Sequence, residues 1–146
     1  MNGTMNWTLC AGLLVMGGCL HPKPAAPTAD NGGTRIVITQ DMIERSGGLT
    51  AWDVLKKEAP QLTYRENAHG QPSRLERRGQ SSIVLSDAPM VYVDGSRLTD
   101  FRSLQQVMAS TLRRIEILNA IDGTTYYGTD AEGGVILLFT KNNTGN

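Results

Sequence analysis

The chain has 146 residues, with 14 Lys and Arg against 14 Asp and Glu, so its formal net charge is zero at neutral pH. That balance excludes the broad unopposed positive field of a nucleic-acid surface, and two cysteines exclude a disulfide-stapled scaffold. The length suits one small domain with a modest core.

Leu9 to Gly18 is an apolar run of signal-peptide length, too short to span a bilayer. It ends in Val15-Met16-Gly17-Gly18-Cys19, which resembles a bacterial lipobox, with small residues immediately before a cysteine. In signals of that kind the cysteine becomes the new amino terminus and is acylated. Residues 1–18 are therefore expected to be a signal peptide and Cys19 the site of lipid attachment, palmitate included. Cys10 would leave with the signal, so the mature chain would hold no free thiol, no disulfide and no Cys-based metal site. Several acyl chains at about 0.8 kcal/mol per buried CH₂ make a stable anchor. Leu20, rather than Asp, after the cysteine favours the outer membrane. Residues 19–34, with Pro22, Pro24, Pro27, Gly32 and Gly33, lack bulky apolar side chains and read as a flexible tether.

Ile36 to Thr39 is a β-branched run that predicts a strand. A short helix is expected between Thr39 and Gly48, closed by Gly47-Gly48. Thr50-Ala51-Trp52-Asp53 is a capping-box pattern that opens a second helix, with Trp52, Leu55 and Ala59 on one face and Pro60 ending it. Trp52 on that apolar stripe is expected in the core rather than stacking on a ligand. Leu62 to Arg65 and Arg74 to Gly79 read as strands around the loop 67–73, and Ile83-Val84-Leu85 as a short apolar piece. Arg74, Arg77 and Arg78, interrupted by Glu76, read as solvated strand-edge charges rather than a phosphate surface.

From Pro89 the pattern sharpens. Met90 to Val93 alternates as a strand, and Asp94-Gly95 is a strong two-residue turn signal. Asp100 is placed to cap a helix over Phe101 to Ala109, with Phe101, Leu104, Val107 and Met108 on one face. Arg114 to Leu118 alternates again. Tyr126-Tyr127 and the glycines Gly128, Gly133 and Gly134 are expected to shape a turn into a last strand, Val135 to Phe139, buried on both faces.

These pieces, in this order, resemble the plug domain of TonB-dependent outer-membrane receptors. The matching residues are Pro89-x-Val91-Tyr92-Val93-Asp94-Gly95, then Arg114-Ile115-Glu116-Ile117-Leu118. They are followed by Tyr127-Gly128-x-x-Ala131-x-Gly133-Gly134-Val135-Ile136 and Thr140-Lys141. Arg78-Gly79 fits the pair that the family carries after an earlier strand. Asn119-Ala120-Ile121 stands where the family usually has a basic residue, Gly and Pro. The resemblance implies an α+β fold with a small mixed β-sheet and short helices over residues 35–141, ahead of a tail at 142–146. No energy-coupling TonB box stands out, because Ile36 to Thr39 reads as core strand. A receptor barrel at about 9–11 residues per strand needs roughly 200 residues of strand or more, so this sequence is expected to carry a plug without a barrel.

Enzyme motifs are absent: there is no Gly-x-Ser-x-Gly, Gly-x-Gly-x-x-Gly, P-loop or His-Glu-x-x-His. His21 falls in the tether. Glu66 and His69 form an isolated pair in a polar stretch. Asp94, Asp100, Asp122, Asp130 and Glu132 sit at turns or caps, where backbone bonding is their ordinary role. No catalytic residue, cofactor or metal is expected. The sequence reads as a non-enzymatic outer-membrane lipoprotein facing the periplasm. Its expected partners are the membrane, through the lipid anchor, and an outer-membrane receptor or other envelope protein, with no nucleic acid. The alternatives are a truncated transporter remnant and an envelope enzyme without recognisable motif.

Overall fold

The computed structural model describes residues 35–78 and 88–143. The expected signal peptide, Cys19, the expected tether and the Ile83-Val84-Leu85 piece lie outside the described residues.

Seven strands are described: β1 (Ile36–Thr39), β2 (Leu62–Glu66), β3 (Pro72–Arg77), β4 (Met90–Val93), β5 (Ser96–Leu98), β6 (Leu112–Leu118) and β7 (Val135–Thr140). Three α-helices accompany them: α1 (Gln40–Ser46), α2 (Ala51–Glu58) and α3 (Ala120–Tyr127). A five-stranded sheet runs β1-β6-β7-β4-β5, antiparallel except where β4 and β7 run parallel. β2 and β3 make a separate antiparallel hairpin. The mixed α+β architecture expected from the sequence is the one observed.

Register explains the core. Ile36, Ile117, Ile136, Val91 and Leu98 align in one row across the five strands. Ile38, Ile115, Leu138 and Val93 align in the next. Because side chains alternate along a strand, both rows share one face. α1 and α2 close that face with Met42, Ile43, Trp52, Val54 and Leu55, and the hairpin adds Leu62 and Leu75. Truncating one of these buried side chains to alanine typically costs about 2–5 kcal/mol.

The helix ends follow local chemistry. Gly47 takes the left-handed conformation (φ 62°) that stops α1. Thr50 accepts from the Asp53 N–H while the Asp53 carboxylate accepts from the Thr50 N–H, completing the capping box of α2. Trp52 is 1% exposed, meets the Tyr64 ring edge-on at 5.2 Å, and donates its indole N–H to Glu66 at 2.7 Å. The Tyr64 hydroxyl reaches the carbonyls of Leu55 (2.6 Å) and Ala59 (2.9 Å) at the end of α2. Burial pushes that phenol well above its ordinary pKa.

Three local expectations are corrected. The helix expected over Phe101 to Ala109 is instead two 3₁₀ turns, Phe101–Gln105 and Ala109–Thr111. The cause lies elsewhere in the chain: Ala51 donates to the Val107 carbonyl (2.8 Å) and Ala109 to the Leu49 carbonyl (2.9 Å). Those bonds engage backbone groups that a helix would use, and they leave Met108 63% exposed instead of on a buried face. After β6, the expected turn contains α3, opened by Asn119, whose side chain accepts from the Asp122 N–H at 2.8 Å. Tyr126 and Tyr127 therefore end a helix. Third, β7 is not sealed on both faces, since Leu137 and Phe139 are only half-buried.

Gly134 has φ 90°, and a Cβ there would stand 2.6 Å from the Leu118 carbonyl oxygen. Gly47 has φ 62°, and nothing lies within 4 Å of the place where a methyl group would stand. Gly134→Ala should therefore cost at least about 2 kcal/mol through strain plus collision, against about 1 kcal/mol for Gly47→Ala. Urea unfolding of the two variants tests this, and equal losses would overturn it.

Candidate binding site

Position is set first at the β4–β5 turn. Asp94 (φ 49°) and Gly95 (φ 84°) both have positive φ, as a tight hairpin turn requires. The Asp94 carboxylate then reaches across to β7, accepting from the Thr140 N–H at 2.9 Å and the Thr140 hydroxyl at 2.7 Å. The Asp94 N–H donates to the Leu138 carbonyl at 2.9 Å. Burial by itself would raise the Asp94 carboxyl. The bonds from Thr140 and Asn143, with Arg113 nearby, outweigh that effect and hold it below the usual value.

This clamp fixes what gathers at the opposite end of the strands. β5 returns antiparallel to the start of β4, and β7 starts beside it because the two run parallel. An open groove of about 710 Å³ lies there, with Pro89, Met90, Leu98 and Phe101 as apolar lining. Arg97 stands on it together with Asp130 and Glu132. Such a groove can take an apolar body carrying charge of either sign.

The second face of the sheet is partly polar. Val37, Glu116, Leu137 and Tyr92 form its central row. Glu116 is only 9% exposed. Arg114 Nε lies 2.9 Å and Arg35 Nη1 3.7 Å from its carboxylate, so the buried charge is paired. Arg114 also lies over the Phe139 ring, 4.2 Å from its centroid. Among the described residues, the segment 120–134 covers one end of this face, where Ala131 packs with Met90, Leu118 and Val135. Tyr127 meets Tyr92 at 5.1 Å between ring centroids. Burial chiefly, then Tyr92 and Glu116, raises the Tyr127 phenol.

Sequence reasoning missed Glu116, which alternation alone leaves as a solvent-facing position on a half-buried strand. The available signal was Arg114-x-Glu116, since spacing of two puts both charges on one face. Other residues fall where expected. Trp52 is core. Asp100 caps the first 3₁₀ turn by accepting from the Arg102 N–H at 2.9 Å. Glu66 accepts from Lys56 (2.7 Å) and Trp52, which lower its pKa, and the backbone N–H of His69 donates to Asn67 Oδ1 at 2.9 Å. Asp130 and Glu132 sit on the groove rim. Arg74 pairs with Glu76 at 2.6 Å. Among the described residues no group of three or more His, Cys, Asp or Glu is placed to hold a metal ion. Cys19 lies outside the described residues.

Comparison with known proteins puts this geometry in context. The TonB-dependent receptor plug domain matches residues 27–135. TonB-dependent receptor P26 of Formosa agariphila is 32% identical over 85 residues, which is 58% of this chain and 9% of that receptor. Among solved structures, the RagAB peptide importer in its "open-open" state superposes with a TM-score of 0.61 at 19% identity, over 80% of this chain and 13% of that one. The ferric enterobactin receptor of Pseudomonas aeruginosa gives 0.58 at 18% identity, over 78% and 18%. The chain thus spans less than a fifth of each of these relatives.

The Asp94 clamp carries a pH signature. Its folded-state pKa is lowered, so its ionised form stabilises the fold above the unfolded value of about 3.9, and that contribution is lost as pH falls through the folded value. Asp94→Asn keeps an acceptor and tolerates positive φ. It should cost about 1–2 kcal/mol at pH 7, with the difference from wild type narrowing below about pH 4. Urea unfolding at pH 7 and pH 3 measures it, and a pH-independent difference would overturn the charge account.

Proposed function

The chain belongs to the TonB-dependent receptor plug domain family, and from that premise we propose that it works as a non-enzymatic binding module of the bacterial outer membrane. In this reading Cys19 carries the lipid anchor, residues 19–34 are the tether, and the domain faces the periplasm. Its partner is an outer-membrane receptor or another envelope protein. The observation that carries the proposal is the second sheet face. The segment 120–134 packs over one end, while Leu137, Phe139 and Tyr92 stay half-buried around the Arg35–Glu116–Arg114 pairing. The half-buried Tyr92 and Phe139, with Arg114 beside them, are residue types enriched where protein surfaces meet.

A second reading is that this plug is a segment or remnant of a TonB-dependent transporter. It is favoured by the relatives, which are receptors many times longer than the matched region. The groove at the start of β4 would then lie on the path of the transported molecule.

Labelled palmitate fed to cells expressing the chain should be retained by wild type and lost in Cys19→Ala, which should also leave the membrane fraction. Label retained by Cys19→Ala would overturn the anchor. Photocrosslinking from Tyr92 or Phe139 positions in the native envelope should capture an envelope protein at the second face. Crosslinks that form equally from the exposed helix position Lys57 would remove the assignment of that face.

A further inference from the structure

We propose that the free edge of β1 is a docking site for an extended strand, and that residues 25–30 of this same chain occupy it. Among the described strands β1 pairs on one side only, with β6. The opposite edge, β5, is three residues long and carries Arg97, the shortness and charge by which natural sheets guard an edge. Ile36–Thr39 has neither a charge nor a proline, and its register with β6 has no irregularity. An edge of that kind invites a further strand.

Bonds deeper in the sheet fix which backbone groups of β1 are free. The Met90 and Asp94 N–H groups donate to the Gly134 (3.0 Å) and Leu138 (2.9 Å) carbonyls, so alternate residues of β7 from Gly134 face β4. Val135 and Leu137 therefore face β6, opposite Leu118 and Glu116. Ile117 and Ile115 then face β1, opposite Ile36 and Ile38. The N–H and C=O of Val37, and those of Arg35, are left pointing off the edge, with no backbone partner among the described residues.

The sequence ahead of β1 supplies a segment of matching parity. Asn31-Gly32 is a strong signal for a two-residue hairpin turn. A turn closed there sets Asp30 opposite Gly33 as a hydrogen-bonded pair, and bonded and non-bonded pairs alternate from that point. Thr28 and Ala26 then fall on bonded positions opposite Arg35 and Val37, the residues whose groups are free. Pro27 falls on the non-bonded position opposite Ile36. Its nitrogen, which has no hydrogen to donate, faces away from β1, where an edge strand tolerates proline. A shift of one residue would set Pro27 against Val37 and leave that carbonyl without a donor. Pro24 has the wrong parity, but its counterpart Thr39 is already the N-cap of α1, so the ladder ends at Ala25. The match to the plug family begins at residue 27, inside this segment.

A partner's extended strand reaches β1 only by displacing residues 25–30. The inference stands whether or not Cys19 carries lipid.

NMR of the ¹³C,¹⁵N-labelled full chain in detergent micelles tests it. Hα–Hα contacts between Pro27 and Ile36 and between Ala29 and Thr34 are expected, as is slow exchange of the Val37 N–H at any protein concentration. Ala26→Pro removes the N–H that donates to the Val37 carbonyl, so Val37 exchange should speed up at least tenfold. Pro27→Ala should leave it unchanged. The Ile38 N–H, which faces β6, should stay protected in both variants. Val37 exchange as fast as in an unstructured peptide, or equal effects of the two substitutions, would overturn the proposal. Protection that grows with protein concentration would give the edge to a second copy and overturn the assigned occupant.

Discussion

The pairing of β4 with β7 is the constraint on which the remaining structure depends. Two parallel strands cannot be joined by a short hairpin, so the chain between Val93 and Val135 must come back to the end of the sheet where β4 starts. It does so through β5, two 3₁₀ turns, β6 and α3. β6 is thereby inserted between β7 and β1, and β1 becomes one edge of the sheet. Asp94 secures this crossing, because its carboxylate reaches Thr140, 46 residues further along. The groove at the other end of β4 exists because the same parallel register brings the start of β7 beside it.

The two faces of the sheet follow different physics. One is an unbroken apolar surface covered by α1, α2 and the hairpin, and it holds most of the core. The other buries a carboxylate between two arginines and keeps its aromatic side chains half-covered. A buried ion pair adds little net stability over an apolar pair, but removing one partner is costly. Glu116 is therefore better understood as shaping the second face than as stabilising the domain. That division places the apolar core on one side of the sheet and the paired charges and half-covered aromatic rings on the other.

Much of the local structure was legible from residues close in sequence. Thr50 and Asp53 cap α2, Gly47 stops α1, and Asp94-Gly95 turns the hairpin, each because a side chain or a positive φ acts within a few residues of itself. The plug motifs were legible for the same reason, since they are turn and strand signals in fixed order. The 3₁₀ path at Phe101–Thr111 was not, because backbone bonds to Leu49 and Ala51 override an amphipathic pattern that favours helix. α3 was hidden by its composition: two threonines and Gly123 are poor helix formers. Asn119 caps it, and Gly123 admits the close approach of the Ala131 carbonyl.

By itself the sequence determined the order of the strands other than β5, the apolar face of α2, the resemblance to the family, and the absence of a recognisable catalytic motif. These rest on periodicity and on short-range hydrogen bonding, which a single chain displays in one dimension. Only the tertiary structure decided that Glu116 is buried between Arg35 and Arg114, and that the Gln61 amide nitrogen is buried. Those environments are made by strands brought together from distant parts of the chain. Whether a charge or an amide there is solvated or enclosed depends on what packs over it, and no local pattern records that.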